Sequence, residues 1–128
     1  MTTTDIAITE ALSVMEAHLA ALNRQDAAAL TATLHFPHYR LVGTELAMWV
    51  GPETYLDDFK TRAGSDWAYT KWRSVEVTQA DAIKVHLAVE IDRYDRKDKL
   101  IASFKSIWVI SKKDGRWAAQ FRSSFAPA

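Results

Sequence analysis

No cysteine occurs among the 128 residues. Disulfides, thiol catalysis and thiolate metal sites are therefore excluded together, and the lack of cysteine fits a reducing, cytoplasmic setting. Net charge is missing too, because 16 Lys plus Arg balance 16 Asp plus Glu. The densest basic stretch, DRYDRKDK at 92–99, is interrupted by acids, so the concentrated positive face of a nucleic-acid binder is not expected. The opening segment MTTTDIAITEALSVMEAHLAALNRQ has no basic leader and carries acids among its apolar residues. Neither a signal peptide nor a membrane span is expected there. With four glycines and three prolines, no linker rich in either appears, and there is no internal repeat or low-complexity segment.

What is present is apolar. Nearly half of the residues are hydrophobic and five are Trp, a composition of folded chains rather than disordered ones. The length is that of one domain, 1–128, which buries roughly two thirds of its unfolded surface.

Ile8, Leu12, Met15, Leu19 and Leu22 step by four and three, one face of a helix near 4–23, with Thr4 and Asp5 as candidate N-caps. Asp26 looks like the cap of a short second helix, AAALTATL, ending about Leu34. Pro37 then pushes Phe36 toward extended geometry, and HYRLV (38–42) and ELAMWV (45–50) read as two strands around a turn. In GPETYLDDFKTRAG, Pro52 suits a first helical position and Gly64 a C-terminal cap, with Leu56 and Phe59 facing the core. The remainder is β: strands over 67–79, 82–95, 100–111 and 116–126, the last two joined by the tight turn KDG. Ile83, Val85, Leu87, Val89 and Ile91 share one face of their strand; Lys84, His86, Glu90 and Asp92 share the other. Three helices against one strongly curved antiparallel sheet make an α+β cone.

Through ALNRQDAAAL, HFPHYRLVG, GPETYLDDF and SIWVISKKDGRWAAQFRSSF, nearly the whole chain resembles the NTF2-like superfamily, including its ketosteroid isomerase-like and SnoaL-like members. The resemblance implies an NTF2-like or cystatin-like cone with a pocket open at one end, and a homodimer through the outer sheet face. The known activities do not carry over. The position implied for the isomerase base, shortly before Gly43, holds Arg40. The Asp-Arg-Asp set of the epoxide hydrolases fails because Asp92 and Arg93 are neighbours and point to opposite faces of a strand. The dehydratase pattern of His, Tyr and Asp is not clear.

His35 and His38 are separated by Pro37, cannot share a helix face and have no carboxylate nearby, so no metal and no cofactor are expected. His35 reads as a helix-end residue, and His38 equally as a hinge residue or as an acid–base group. Arg122 is the strongest charged candidate. Facing inward, it would hold an anionic or carbonyl group with a fork of donors; facing outward, it would pair across strands with an acid such as Glu90. His86 is expected at the outer or interface face. Some of the five tryptophans should line a pocket or an interface. The candidate ligand contacts are His38, Tyr39, Arg40, Trp49, Tyr55, Phe59, Trp108 and Arg122, and the catalytic candidates are His38, Tyr39 and Arg122.

Two functions are expected from these residues. One is a pocket of about 300 Å³ or more for a small, mostly apolar ligand, with cofactor-free isomerase, dehydratase or cyclase chemistry. The other is a non-catalytic homodimeric interaction module whose cone is filled by its own side chains. No paired carboxylates and no Ser/His/Asp set favour catalysis.

Overall fold

The structure, a computed structural model, describes residues 1–127. Helix α1 spans Thr3–Asn23, α2 Ala27–Thr31 and α3 Tyr55–Ala63; the strands are β1 (Leu34–Val42), β2 (Glu45–Trp49), β3 (Tyr69–Ala80), β4 (Lys84–Tyr94), β5 (Leu100–Lys113) and β6 (Arg116–Ser124). The sheet order is β2-β1-β6-β5-β4-β3. Strands β3 to β6 form the expected meander. The sheet is not wholly antiparallel, because β6 returns alongside β1 in the parallel direction.

Helix α1 starts earlier than Thr4 or Asp5 would start it. Thr2 is the cap: its hydroxyl accepts from the Asp5 N–H at 3.1 Å, and the Asp5 carboxylate accepts from the Thr2 N–H at 3.0 Å. This reciprocal box satisfies two orphan donors at once. The buried face is also turned slightly from the expected one. Ala7, Ala11, Met15, His18, Ala21 and Leu22 face the sheet, while Ile8, Leu12 and Leu19 are only half-buried. Small alanines let the helix lie close to the sheet.

Asp26 caps α2 through Ala29 N–H, but the helix ends at Thr31 rather than near Leu34. The Ala119 N–H bonds the Thr33 carbonyl, and Leu34 is already paired with β6. Strand pairing thus captures residues that local propensity assigns to the helix. Helix α3 begins at Tyr55, because Pro52 belongs to a turn closed by the Tyr55 N–H on the Pro52 carbonyl. Gly64 closes α3 at φ +91, a backbone region that suits glycine. Ile83 leaves the inner face. The Asp81 carboxylate takes the Ile83 and Lys84 N–H groups, which makes a turn and leaves Ile83 60% exposed.

The core lies between α1 and the concave face of the sheet. It includes Met15, Leu30, Leu34, Val85, Leu87, Val89, Trp108 and Ile110. No helix among the described residues is long and apolar enough to cross a membrane.

Candidate anion-binding cone

Four arginines converge on the open end of the cone. Arg40 comes from β1 and Arg122 from β6, and the two are register partners. Trp108 is the register partner of Arg122 on β5. Arg93 comes from β4 and Arg62 from α3. All four line one cavity with His18, Tyr55 and Phe59. Arg122 points inward with 6% exposure, which decides the question its sequence context left open.

None of these guanidiniums has a carboxylate within salt-bridge distance, and no side-chain hydrogen bond involves them among the described residues. Three of them, Arg62, Arg93 and Arg122, lie on aromatic faces instead. Arg122 sits 5.0 Å from the Trp108 ring centre and 5.6 Å from Tyr55. Arg93 lies 4.7 Å from Phe104 and 5.3 Å from Phe59. Arg62 lies 5.5 Å from Trp49 and 5.6 Å from Phe59. Ring quadrupoles hold cations in place but leave their N–H groups unsatisfied. Buried and without partners are Nε and Nη1 of Arg62, Nε of Arg93, Nε and Nη2 of Arg122, the Tyr55 hydroxyl and Trp108 Nε1.

Burial and the Arg122 charge lower the pKa of Arg62 to about 9 and of Arg93 to about 10. Arg40 is lowered to about 10 by the same two causes in the same order. All three stay charged at neutral pH, so the cone holds an uncompensated positive field in which each guanidinium weakens the next.

Two imidazoles stand in this field. His38 Nδ1 faces the Ala119 carbonyl at 3.0 Å, which can only accept, so Nδ1 carries the proton and Nε2 is a buried lone pair without a partner. His38 packs edge-on to Tyr55 at 5.7 Å and near Trp49 at 6.1 Å. Its pKa is lowered to about 3, by burial first and then by Arg122. His18, on α1, has Nδ1 at 2.8 Å from the Thr33 hydroxyl, which itself donates to the Leu30 carbonyl at 2.6 Å. Thr33 has one proton and spends it on Leu30, so His18 Nδ1 donates and Nε2 is again the lone pair. Burial, Arg122 and His38 hold His18 well below its ordinary pKa.

The candidates from sequence fall into three groups. Arg40, Tyr55, Phe59, Trp108 and Arg122 meet at the cavity. His38 and Trp49 sit one layer away, edge-on to Tyr55, with Trp49 Nε1 donating to Asp58 at 2.8 Å. Tyr39 is not brought in: it lies between the inward His38 and Arg40 on β1 and is turned to the other side of the sheet. His35 bonds the Ser111 carbonyl at 2.8 Å, a structural contact. Asp92 and Arg93 do point apart, but both are buried. Asp92 is held by Arg73 and Ser103, and Arg93 enters the cone. His18, Arg62 and Arg93 were not among the expected site residues. Each had a signal: His18 is three residues after Met15, Arg62 three after Phe59, and Arg93 two after Ile91, all on inward faces.

The enclosed free volume is only about 30 Å³, because rings and guanidiniums occupy most of the cone. That is far below the roughly 300 Å³ of a pocket for a ring compound. No cluster of three or more His, Asp or Glu able to hold a metal exists among the described residues.

No family model and no curated protein matches the sequence. The fold has many solved counterparts. A protein of unknown function with a cystatin-like fold from Nostoc punctiforme superposes with TM-score 0.79 at 15% identity, over 99% of this chain and 96% of that one. An NTF2-like protein of unknown function from Shewanella oneidensis gives 0.75 at 14%, over 93% and 98%. A ketosteroid isomerase-like protein from Erwinia carotovora atroseptica gives 0.64 at 17%, over 94% and 95%. At such identities the likeness speaks for the backbone alone, and on that ground this chain has the NTF2-like, cystatin-like α+β fold.

Proposed function

We propose that this protein is a binding domain for a small anion, or for the anionic head group of a small molecule, held in the cone by Arg40, Arg62, Arg93 and Arg122. The observation that carries the reading is the convergence of four buried or half-buried guanidiniums with no acid facing them and no side-chain hydrogen bond made to them among the described residues. An uncompensated buried charge is costly, and such a cluster is retained where a ligand supplies the counter-charge. Oxygen anions match the planar donor forks of arginine, and the aromatic backing excludes water, which strengthens the attraction. This ligand is more polar than the apolar ring compound expected from composition. Arg40 stands where the fold resemblance implies an isomerase base, and a guanidinium that stays protonated cannot take a proton from carbon. That favours binding over isomerisation.

A second reading has its own support. The small free volume favours a filled cone in a non-catalytic interaction module. The two readings predict opposite effects of Arg122→Met. If the cluster awaits an anion, removing one charge relieves repulsion and stabilises the ligand-free protein by about 1–2 kcal/mol. The same variant loses the thermal shift that sodium phosphate or benzoate gives the wild type, which at about 100 times Kd is worth roughly 2.7 kcal/mol, several degrees of Tm. Thermal melts of both proteins with and without each salt check this. A variant that is destabilised, beside a wild type indifferent to both salts, would point to the filled module.

A further inference from the structure

The cone contains an acceptor among its donors. His18 lies on the cavity wall with 2% exposure, and its Nε2 makes no hydrogen bond. The chain from Leu30 carbonyl to Thr33 hydroxyl to His18 Nδ1 fixes the tautomer that leaves Nε2 bare. The ring cannot easily flip this assignment. It is held edge-on against Trp108 at 4.9 Å and stacked on Trp72 at 6.3 Å. Nor does it escape by protonating, because burial and the neighbouring Arg122 disfavour the imidazolium. His18 therefore presents a lone pair to whatever the arginines hold.

An anion whose oxygens are all acceptors answers the guanidiniums but meets His18 lone pair to lone pair. An oxoanion that keeps one O–H answers both. We infer that the cone selects a hydroxyl-bearing oxoanion, its charged oxygens on Arg122, Arg93 and Arg62 and its O–H donated to His18 Nε2. The inference rests on the anion-binding reading above and narrows its ligand class. The free volume of about 30 Å³ is smaller than such a head group, so binding requires the guanidinium and aromatic side chains that fill the cone to move apart around it. Two small sources share the chemistry: hydrogen phosphate and a 2-hydroxy carboxylate such as glycolate.

Each source has a near-isostere without the proton. Sulfate matches hydrogen phosphate in shape and carries no O–H at neutral pH; acetate matches glycolate without the hydroxyl. Isothermal titration of the full chain at pH 7, in a zwitterionic buffer, compares the two pairs. Hydrogen phosphate should bind at least about tenfold more tightly than sulfate, or glycolate than acetate, because a buried acceptor left unpaired rejects the analogue lacking its donor. For the inorganic pair this preference runs against charge, since sulfate is the fuller dianion. The pair that discriminates identifies the source. His18→Gln, whose amide can donate, should erase or reverse the preference while the disfavoured anion still binds. Sulfate equal to phosphate together with acetate equal to glycolate would overturn the inference and leave the anion reading standing. So would a preference that survives in His18→Gln. No binding of any of the four at millimolar concentration would remove the anion reading and this inference with it. The wild-type comparison decides the matter even if the buried substitution fails to fold.

Discussion

His38 and His18 show how one residue type reports on its surroundings. Both imidazoles are neutral in the fold because they are buried beside guanidiniums, whereas in the unfolded chain they titrate near 6.5. A lowered folded pKa means that the unfolded state binds the proton first. The stabilisation is present above pH 6.5 and is lost as pH falls toward the folded value, about 3 for His38. At pH 5 the loss is about 2 kcal/mol for His38 alone, from one and a half units at 1.36 kcal/mol each. Urea melts at pH 7.5 and pH 5 should show it, and His38→Gln should flatten the slope; an unchanged slope in that variant would place the acid sensitivity elsewhere. At this scale the sequence was partly legible. Strand alternation put Arg122 and Ser124 on one face but left open whether that face looks inward, whereas Arg93 follows from the apolar Ile91 two residues before it. The absence of partners for these arginines does not, because a partner is a matter of distance across strands. Glu90, the acid offered for Arg122, faces Lys105 and Ser74 instead.

Among the elements, the short helix α2 shows the limit of local reasoning. Its start is written in Asp26, whose carboxylate accepts the Ala29 N–H at 3.1 Å. Asp26→Ala should cost about 1 kcal/mol of stability, read from the urea midpoint at constant slope. A cost near zero would mean that packing of Leu30, fully buried against the core, holds the helix without its cap. The end of α2 was not legible. Leu34 is drawn into the sheet by Ala119, a residue 85 positions away by the difference of their numbers. The three sheet-side alanines of α1 and the turn made by Asp81 belong to the same class. Periodicity finds an element, but tertiary hydrogen bonds set its last residues and the exact face it buries.

For the whole molecule, the outer sheet face is the surface we propose for a second copy. Ile107 and Phe125 are 41% and 74% exposed there, around a groove that also includes Ser74, Ala88 and Lys105. Formal charge balance adds no net repulsion between copies. Light scattering on the eluting peak should give about twice 14.4 kDa, and Phe125→Glu should return it to one chain. A wild type that stays single at tens of micromolar would remove this face from consideration. The sequence by itself determined the order of helices and strands and the curved α+β class, because these follow from 3.6- and 2-residue periods and from caps and turns. Only the tertiary structure decided what lines the cone. Four arginines distant in the chain become neighbours when β1, β4, β6 and α3 converge, and their charges then act on one another and on two histidines through a medium too dry to screen them.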